Sequence, residues 1–420
     1  MTPGQRGGQA DLEAGRGPGA PGDDAGQTPP SAGWVEEALR EHKAQAQSEA
    51  TRFPHHGSPQ PLAGTVREEL VLERIDRARR ARPRVKEDRI TMSHGAGGKA
   101  TQTLIEAIFL DTFRNPLLEP LEDAAHLHVG AARIALTTDS YVVSPLFFPG
   151  GDIGDLAVNG TVNDLSMAGA TPLYLSAGFI LEEGFGVADL TRIAASMQAA
   201  AKRAGVQVVT GDTKVVQKGK ADGCYINTAG VGVLEHDGTL GVAHARPGDA
   251  ILVSGPIGDH GVTIMLARGE LEIEADVVSD TAPLNDLVAH LLAAAPGVRA
   301  LRDATRGGVA TILNEIAAAA GVGVLVSEDD IPVRPEVRGA AELLGIDPMY
   351  VACEGRLVAV VSPDTCDRAL AALRAHPQGE QAAVIGRITA QNPGIVQLKT
   401  AFGGTRIVDL LVGDPLPRIC

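Results

Sequence analysis

Cysteine and aromatic residues are scarce in this sequence. Four cysteines occur in 420 residues, and they form neither a CxxC pair nor a Cys/His ligand spacing. This pattern argues against a disulfide framework or a zinc site, and it fits a protein of the reducing cytosol. Aromatic residues make up only 3% of the chain, so the core has to be built from Ala, Val, Leu and Ile.

Long apolar runs are also missing. No run approaches the roughly 18 residues of a membrane helix, and residues 1–33 lack the apolar segment of a signal peptide. We therefore expect a cytoplasmic protein without a membrane partner. At 44% hydrophobic content, the chain is long enough to form a large core, and we expect two domains.

Positive charge is in deficit over most of the chain. The formal net charge is −15, and because acidic and basic residues balance in residues 1–90, the whole excess lies in residues 91–420. Such an acidic body repels nucleic acid, so no nucleic-acid partner is expected. It also needs metal ions to hold an anionic substrate.

The domain organisation follows from shifts in composition. Residues 1–85 are predicted to be a disordered or partly helical extension, with helices possible over 34–50 and 65–82. Strands alternate with helices in both remaining halves, which predicts α/β or α+β domains over residues 86–240 and 245–400. Residues 401–420 are predicted to be a mobile tail.

The tail ends in a cysteine, Cys420, after a proline-containing segment. Prolines 415 and 417 prevent regular helix and favour an extended chain. Two interpretations are open. The segment is either a frayed terminus, or a short semi-rigid arm that brings the thiol into a site elsewhere.

Two glycine-containing segments precede helical patterns. Ser93-His-Gly-Ala-Gly-Gly-Lys99 comes before a helix predicted over Thr101–Phe113, and Asp303-Ala-Thr-Arg306-Gly-Gly comes before a helix predicted over Val309–Ala320. Glycines let backbone amides approach phosphate oxygens, and a nearby lysine or arginine adds charge. The first segment lacks the Walker A spacing, so a simple loop before a helix remains an equal alternative.

Acidic residues occur at the predicted ends of strands and on one helix. Asp123 precedes a strand, Asp139 and Asp212 close two others, and Asp164 follows Asn163 on a helix. Any one of them could be a turn or cap residue. Several together, without a His/Cys cluster, point to a hard cation such as Mg²⁺.

Taken together, these motifs resemble the HypE family of hydrogenase maturation proteins. The resemblance covers about residues 90–420 and rests on the two glycine segments, Thr138-Asp-Ser140, the Gly150–Asp164 run, Thr210-Gly-Asp-Thr-Lys214 and the final Pro-Arg-Ile-Cys. The family belongs to an ATP-binding superfamily with aminoimidazole ribonucleotide synthetase and selenophosphate synthetase. One departure is Ala304, where the family usually has proline.

The resemblance implies a PurM-like fold of two domains and a reaction. The N-terminal domain is a mixed sheet with helices on one side, the C-terminal domain is α/β, and a homodimer binds ATP near its interface. A HypF-like carbamoyltransferase loads the Cys420 thiol. ATP then dehydrates the S-carbamoyl group to a thiocyanate, and the cyanide passes to iron on a HypC–HypD-like complex.

Roles for individual residues are expectations of the same resemblance, combined with the chemistry of phosphoryl transfer. Glu354 is the expected base, with Lys214 assisting. Lys99 and Arg306 neutralise phosphate, and Asn163 and Asp303 belong to the nucleotide site. The acids expected at Mg²⁺ and phosphate are Asp123, Asp139, Asp164 and Asp212.

Two other functions remain open from the sequence alone. The chain could be a superfamily synthetase that phosphorylates a small molecule, in which case loss of the Cys420 thiol would leave turnover intact. It could also be a non-catalytic scaffold that carries a metal on Cys420. The absence of a Cys/His partner near Cys420 in the sequence counts against the scaffold.

Overall fold

A computed structural model of the protein describes residues 84–235, 240–269, 275–413 and 418–420. All of them belong to one unit, residues 61–420, and the other unit, residues 1–60, lies outside the described part. The helices predicted over 34–50 and 65–82 also fall outside it.

The N-terminal half contains a mixed sheet of five strands, β1 (Ala125–Val129), β2 (Ala132–Tyr141), β5 (Thr171–Glu182), β6 (Gln207–Val216) and β7 (Cys224–Val233). Their order in the sheet is β1-β2-β7-β5-β6. Only β5 and β6 pair in parallel. A two-stranded ribbon, β3 (Phe147–Phe148) with β4 (Gly151–Asp152), follows β2. The predicted mixed sheet is confirmed.

Three helices accompany this sheet. Helix α1 (Lys99–Leu104) continues through a π-helical stretch (Ile105–Leu110) into a last turn (Asp111–Phe113). Helices α2 (Ile153–Met167) and α3 (Val187–Ala204) pack on one face of the sheet. The carboxylate of Asp152 caps α2 by accepting the N–H groups of Gly154 and Asp155 at 2.8 and 3.1 Å.

The C-terminal half contains a sheet of seven strands, β8 (Ala250–Val253), β9 (Val298–Asp303), β10 (Gly323–Ser327), β11 (Leu357–Val361), β12 (Ala383–Thr389), β13 (Val396–Lys399) and β14 (Thr405–Ile407). Their order in the sheet is β14-β13-β10-β12-β8-β11-β9. Its helices are α4 (Asp259–Ala267), α5 (Asn285–Ala294), α6 (Gly308–Ala320), α7 (Pro335–Leu344) and α8 (Cys366–Arg374).

This second sheet is covered on both faces. Successive residues of β8 point to opposite sides, so Ile251 and Val253 join a core with α6, whereas Leu252 joins a core with α5 and α8. Helix α2 is buried along almost its whole length because it packs on the first sheet and also against β9 and α5. It therefore joins the two halves.

The predicted tail differs from the structure in its first part. Residues Thr405–Ile407 form β14 and pair with β13, and Val408 is fully buried. The C-terminal sheet therefore extends past residue 400, because Val408 belongs to its core. Among the described residues, none of the helices has the length and apolar character that a membrane span requires.

Candidate active site

Three carboxylates, one buried and two half-buried, meet between the two halves of the protein. Asp123 precedes β1, Asp164 lies on α2, and Asp303 ends β9; one oxygen of each lies within 4.8 Å of the others. We call these residues the acidic cluster. The sequence predicted Asp123 and Asp164 as metal ligands, and the structure places Asp303 beside them.

The acidic cluster lacks compensating charge at its centre. Burial raises the pKa of Asp123 to about 6, with a further increase from Glu122 and an opposing effect of Arg302. Burial, followed by repulsion from neighbouring carboxylates, raises the pKa values of Asp164 and Asp303 as well. One oxygen each of Asp123 and Asp303 is buried without a hydrogen-bond partner. Such an arrangement favours a bound cation.

The positive charge of Arg302 compensates the negative charge on one side of the acidic cluster. This residue was not among those predicted from the sequence. Its guanidinium forms an ion pair with Asp123, contacts Glu122 at 3.1 Å, and donates a hydrogen bond to the Leu121 carbonyl at 3.0 Å. The signal in the sequence was weak, because β9 also contains Arg299 and Asp303, and only its burial in the structure distinguishes Arg302 as a charge that needs partners.

The side chain of Asn163, a residue expected in the nucleotide site, forms hydrogen bonds with three backbone groups. Its amide donates to the carbonyls of Ala282 and Glu354 at 3.1 and 3.3 Å, and its Oδ1 accepts the Leu284 N–H at 2.7 Å. In this structure Asn163 therefore positions the segment before α5 and the residue Glu354.

Cys420 lines a cavity of about 140 Å³. The cavity lining includes Gly95, Ala96, Val142, Arg306 and Ile419. Burial raises the pKa of the thiol, the positive charge of Arg306 opposes this, and Glu354, Asp139 and Asp303 add to the increase. Cys420 therefore lies near Arg306, Asp139 and Asp303, residues that were predicted from the sequence to belong to the nucleotide and phosphate site.

Arg306 connects the glycine segment with the acids. Its guanidinium donates to the Gly95 carbonyl at 3.1 Å and lies 4.0 Å from Asp139. Gly97 has a φ of +74°, and a Cβ there would lie 2.6 Å from the Arg306 carbonyl oxygen. Glycine is required because the loop lies directly against the turn that carries Arg306. The two glycine segments predicted from the sequence therefore form one structure.

Glu354 is buried close to the same groups. Only 3% of the residue is exposed, and its Oε1 has no hydrogen-bond partner. Burial raises the pKa of Glu354 well above its usual value, Asp303, Asp139 and Asp280 raise it further, and Arg306 opposes them. A carboxyl whose pKa is raised in this way holds its proton more tightly than an ordinary carboxyl, and such a shift is typical of a general acid or base.

The structure does not bring Asp212 and Lys214 to this place. Asp212 was predicted to close its strand, but β6 continues to Val216, and the two residues form an exposed ion pair of 2.9 Å. β6 is an edge strand exposed along nearly its whole length, so neither face carries them inward. Lys99 begins α1 at the end of the glycine segment, and its side chain is exposed.

The other three cysteines have no assigned role in this chemistry, although Cys353 directly precedes Glu354 in the chain. Cys224 and Cys353 are buried in the core, and Cys366 begins α8. Burial raises the pKa of Cys224 and of Cys366 to about 11 in each case. They remain protonated thiols at neutral pH, as expected of cysteines that have a packing role.

Comparison with known families assigns both halves of the chain. Residues 121–234 match the family described as AIR synthase related protein, N-terminal domain, and residues 246–399 match the corresponding C-terminal domain. Thiamine monophosphate kinase from Aquifex aeolicus shares the fold, with a TM-score of 0.55 at 19% identity. The predicted PurM-like architecture is confirmed.

Individual relatives are much more similar. Carbamoyl dehydratase HypE of Rhizobium leguminosarum bv. viciae is 56% identical over 79% of this chain and 95% of its own, and the Escherichia coli protein of that name is 47% identical over 79% and 99%. A solved HypE–HypF complex matches with a TM-score of 0.70 at 48% identity over 73% of this chain and 99% of that one. HypE in complex with ATP matches with a TM-score of 0.67 at 49% identity, over 79% and 100%. The chain belongs to the HypE family of carbamoyl dehydratases.

Proposed function

We propose that the Cys420 thiol carries a carbamoyl group, which this protein dehydrates to a thiocyanate with ATP during hydrogenase maturation. The observation that carries the proposal is the position of the thiol. It shares a cavity with Arg306, and Glu354, Asp139 and Asp303 are close enough to influence its pKa. The carbamoyl dehydratase names of the relatives and the solved complex of HypE with ATP support the same reaction.

The reaction needs an oxygen atom to become a leaving group. Transfer of the ATP γ-phosphoryl group to the carbamoyl oxygen forms the O–P bond and releases ADP. The C–O bond then breaks, phosphate leaves, and the nitrogen loses its two protons as the carbon–nitrogen triple bond forms. One proton leaves with phosphate and the other goes to a base, so S-carbamoyl-cysteine plus ATP gives S-cyano-cysteine, ADP, phosphate and one proton.

Glu354 is the residue that we assign to proton removal. Its unpartnered Oε1 is available as an acceptor, and its raised pKa places proton exchange nearer to neutral pH. Arg306 is assigned to the developing charge on the transferred phosphoryl group, since its guanidinium sits between the glycine segment and Asp139. Lys99, at the start of α1, is assigned to the remaining phosphates.

The acidic cluster fits Mg²⁺. It offers carboxylate oxygens from Asp123, Asp164 and Asp303 within 4.8 Å, and buried oxygens of two of them lack partners. When bound, Mg²⁺ would supply charge neutralisation between these acids and the phosphates of ATP. Asp139 lies near the cluster, since its negative charge contributes to the raised pKa values of Asp164 and Asp303. Thr137 fixes Asp164 by donating a hydrogen bond of 2.8 Å to it.

Partners follow from the chemistry of loading and unloading the thiol. A HypF-like carbamoyltransferase is proposed to load Cys420, which the solved HypE–HypF complex supports. A HypC–HypD-like iron complex is proposed as the acceptor of cyanide. A cytoplasmic location remains a prediction of the same proposal.

A homodimer is proposed because Asp212 and Lys214 face outward on β6. Three exposed apolar side chains share their face of the sheet, namely Leu136, Tyr174 and Ile180, and β6 itself also exposes Val208, Val209 and Val215. We call β6 together with this outward face of the sheet the β6 face. An edge strand with exposed apolar residues favours pairing with another chain. A second copy on the β6 face would place Lys214 and Asp212 within reach of a site made by its partner.

Intact mass tests the reaction directly. With a HypF-like partner, carbamoyl phosphate and a non-hydrolysable ATP analogue, the wild type should gain about 43 Da; with ATP it should gain about 25 Da, since water is lost from the adduct. Both shifts should be absent in Cys420→Ala. ATP hydrolysis without either shift would instead favour phosphorylation of a small molecule, and thiol-dependent metal binding without hydrolysis would favour a scaffold.

A further inference from the structure

The last three residues are held through their backbone. The Val142 N–H donates to the Cys420 carbonyl at 3.0 Å, and the Ser144 N–H donates to the Arg418 carbonyl at 3.2 Å. In return, Nε of Arg418 donates to the Val142 carbonyl at 3.2 Å. The tail thus pairs with the segment that follows β2, with the two-residue alternation of a strand.

The carbonyl of Ile419 lies between these two contacts and is bound by a histidine. It accepts a hydrogen bond of 2.9 Å from Nε2 of His260, a residue of α4 with no solvent exposure. A carbonyl can only accept, so Nε2 carries the proton. Burial lowers the pKa of His260, which favours the neutral ring, and in the neutral ring Nδ1 is an acceptor. Nδ1 lies 2.7 Å from the hydroxyl of Ser279, which therefore donates to it.

The hydrogen-bond chain is completed behind the histidine. The Ser279 hydroxyl oxygen accepts the N–H of Thr281 at 3.1 Å, so each donor in the chain has one acceptor and only one histidine tautomer fits. The ring of Phe148 packs edge-on against His260 with its centroid 5.6 Å away. The imidazole is therefore fixed in both orientation and protonation.

Arg268 adds a second contact from the end of the same helix. Its Nε donates to the Ser144 carbonyl and its Nη2 to the Arg418 carbonyl, each at 3.0 Å. It therefore joins the tail to the segment that receives it. His260 and Arg268 are eight residues apart, which places them on one side of the helix, two turns apart.

We propose that His260 and Arg268 form a clamp that fixes the register of the docked tail, with His260 as a positioning residue for the Cys420 thiol. The clamp donates hydrogen bonds to backbone carbonyl groups, so it fixes which residue of the tail lies at each position independently of the side chains of the tail. A slip of one residue would move the thiol by about 3.3 Å and turn it to the opposite side of the strand. The catalytic importance of the clamp rests on the proposed function, whereas docking itself can be measured without it.

Alkylation of Cys420 measures docking directly. The full chain is treated with iodoacetamide without nucleotide or partner, and the rate at each cysteine is followed by peptide mass. In His260→Ala the Ile419 carbonyl loses its buried donor, so Cys420 should react about tenfold faster than in the wild type. His260→Gln, whose amide can donate in place of Nε2, should remain near the wild-type rate.

Two further variants distinguish loss of the clamp from general destabilisation of the fold. Thr263→Val lies on the same helix, where the buried Thr263 hydroxyl donates to the Asp259 carbonyl at 2.7 Å, and it should leave the Cys420 rate unchanged. Ser279→Ala removes the donor to Nδ1 together with the acceptor of the Thr281 N–H, while the His260 ring itself is kept, and it should accelerate Cys420 a few-fold. The rates at the buried Cys224 and Cys353 should stay low in every variant.

An unchanged Cys420 rate in His260→Ala overturns the clamp, and so does equal acceleration by His260→Gln and His260→Ala. If Cys224 and Cys353 also react faster in His260→Ala, that variant has destabilised the fold in general, and Ser279→Ala becomes the test of the clamp. An unchanged Cys420 rate in Ser279→Ala would then overturn the clamp. Failure of the proposed reaction is distinguishable from failure of the clamp. In that case the alkylation rates of the variants would still differ as described, but no thiocyanate would form.

Discussion

Arg302 donates a hydrogen bond from Nη1 to the carboxylate of Asp123, although 179 residues separate them in the sequence. The contact joins β9 of the C-terminal sheet to the loop that precedes β1. It places a positive charge at one edge of the acidic cluster and leaves the other edge, formed by Asp164 and Asp303, open to a cation. Stability and metal binding are therefore linked at this point.

Replacing Arg302 by alanine should lower the free energy of unfolding by about 3–5 kcal/mol, because it leaves Asp123 as a buried charge without a partner. Guanidinium denaturation measures the change. The matched control is Arg114→Ala, which removes an exposed ion pair with Glu119 of 2.9 Å and should cost less than about 1 kcal/mol. Equal losses in the two variants would contradict this account of Arg302.

The metal-free protein should lose stability as the pH rises from about 4 to above 6. Asp123 has a pKa of about 6 when folded, above its ordinary 3.8. The folded state therefore binds the proton more tightly, and its contribution is complete below the unfolded pKa and is lost as the pH rises through the folded pKa. For Asp123 alone this amounts to about 3 kcal/mol. Asp164 and Asp303 act in the same direction.

Melting temperature against pH, in EDTA and in Mg²⁺, tests this expectation. Mg²⁺ should flatten the curve, because a bound cation favours the ionised carboxylates. Asp303→Asn should be more stable than the wild type in EDTA at neutral pH and should bind Mg²⁺ at least about tenfold more weakly. Identical curves with and without Mg²⁺ would argue against a metal at the acidic cluster.

Glu354→Gln should stop the reaction after carbamoyl loading. The amide cannot accept the proton that dehydration releases, so the mass gain of about 43 Da should persist with ATP, and thiocyanate formation should fall about 10²- to 10⁴-fold. In the wild type the rate should increase with pH as the carboxyl of Glu354, whose pKa is raised, loses its proton. Glu342→Gln, an exposed change on α7, is the control. Normal thiocyanate formation in Glu354→Gln would exclude this residue as the base.

Lys214 should act across the dimer interface if the β6 face binds a second copy. Lys214→Ala and Cys420→Ala should each be inactive alone, since one lacks the assisting lysine and the other the thiol. Mixing them should restore about a quarter of the wild-type product, because half of the dimers then hold one complete site. No recovery, in a mixture shown by mass to contain heterodimers, would place Lys214 outside the partner's site.

Local structure was predictable to a large extent. The helices predicted after both glycine segments, at Thr101–Phe113 and Val309–Ala320, form within two residues of the expected starts. The spacing of apolar residues and the glycines that precede the helices are local properties of the chain, and they are sufficient to specify such elements. The tail boundary at residue 401 was placed too early, because β14 is short and depends on pairing with β13.

The chemistry of the site was also present in the sequence, as oxygen ligands, glycine segments, a terminal thiol and a base. Which of the acids meet was decided only by the tertiary structure. Asp303 joins the cluster because β9 ends beside α2, whereas Asp212 lies within an edge strand and points to solvent. Arg302 and Asp123, or His260 and Ile419, meet through long-range packing, and no local pattern specifies which distant residues will become neighbours.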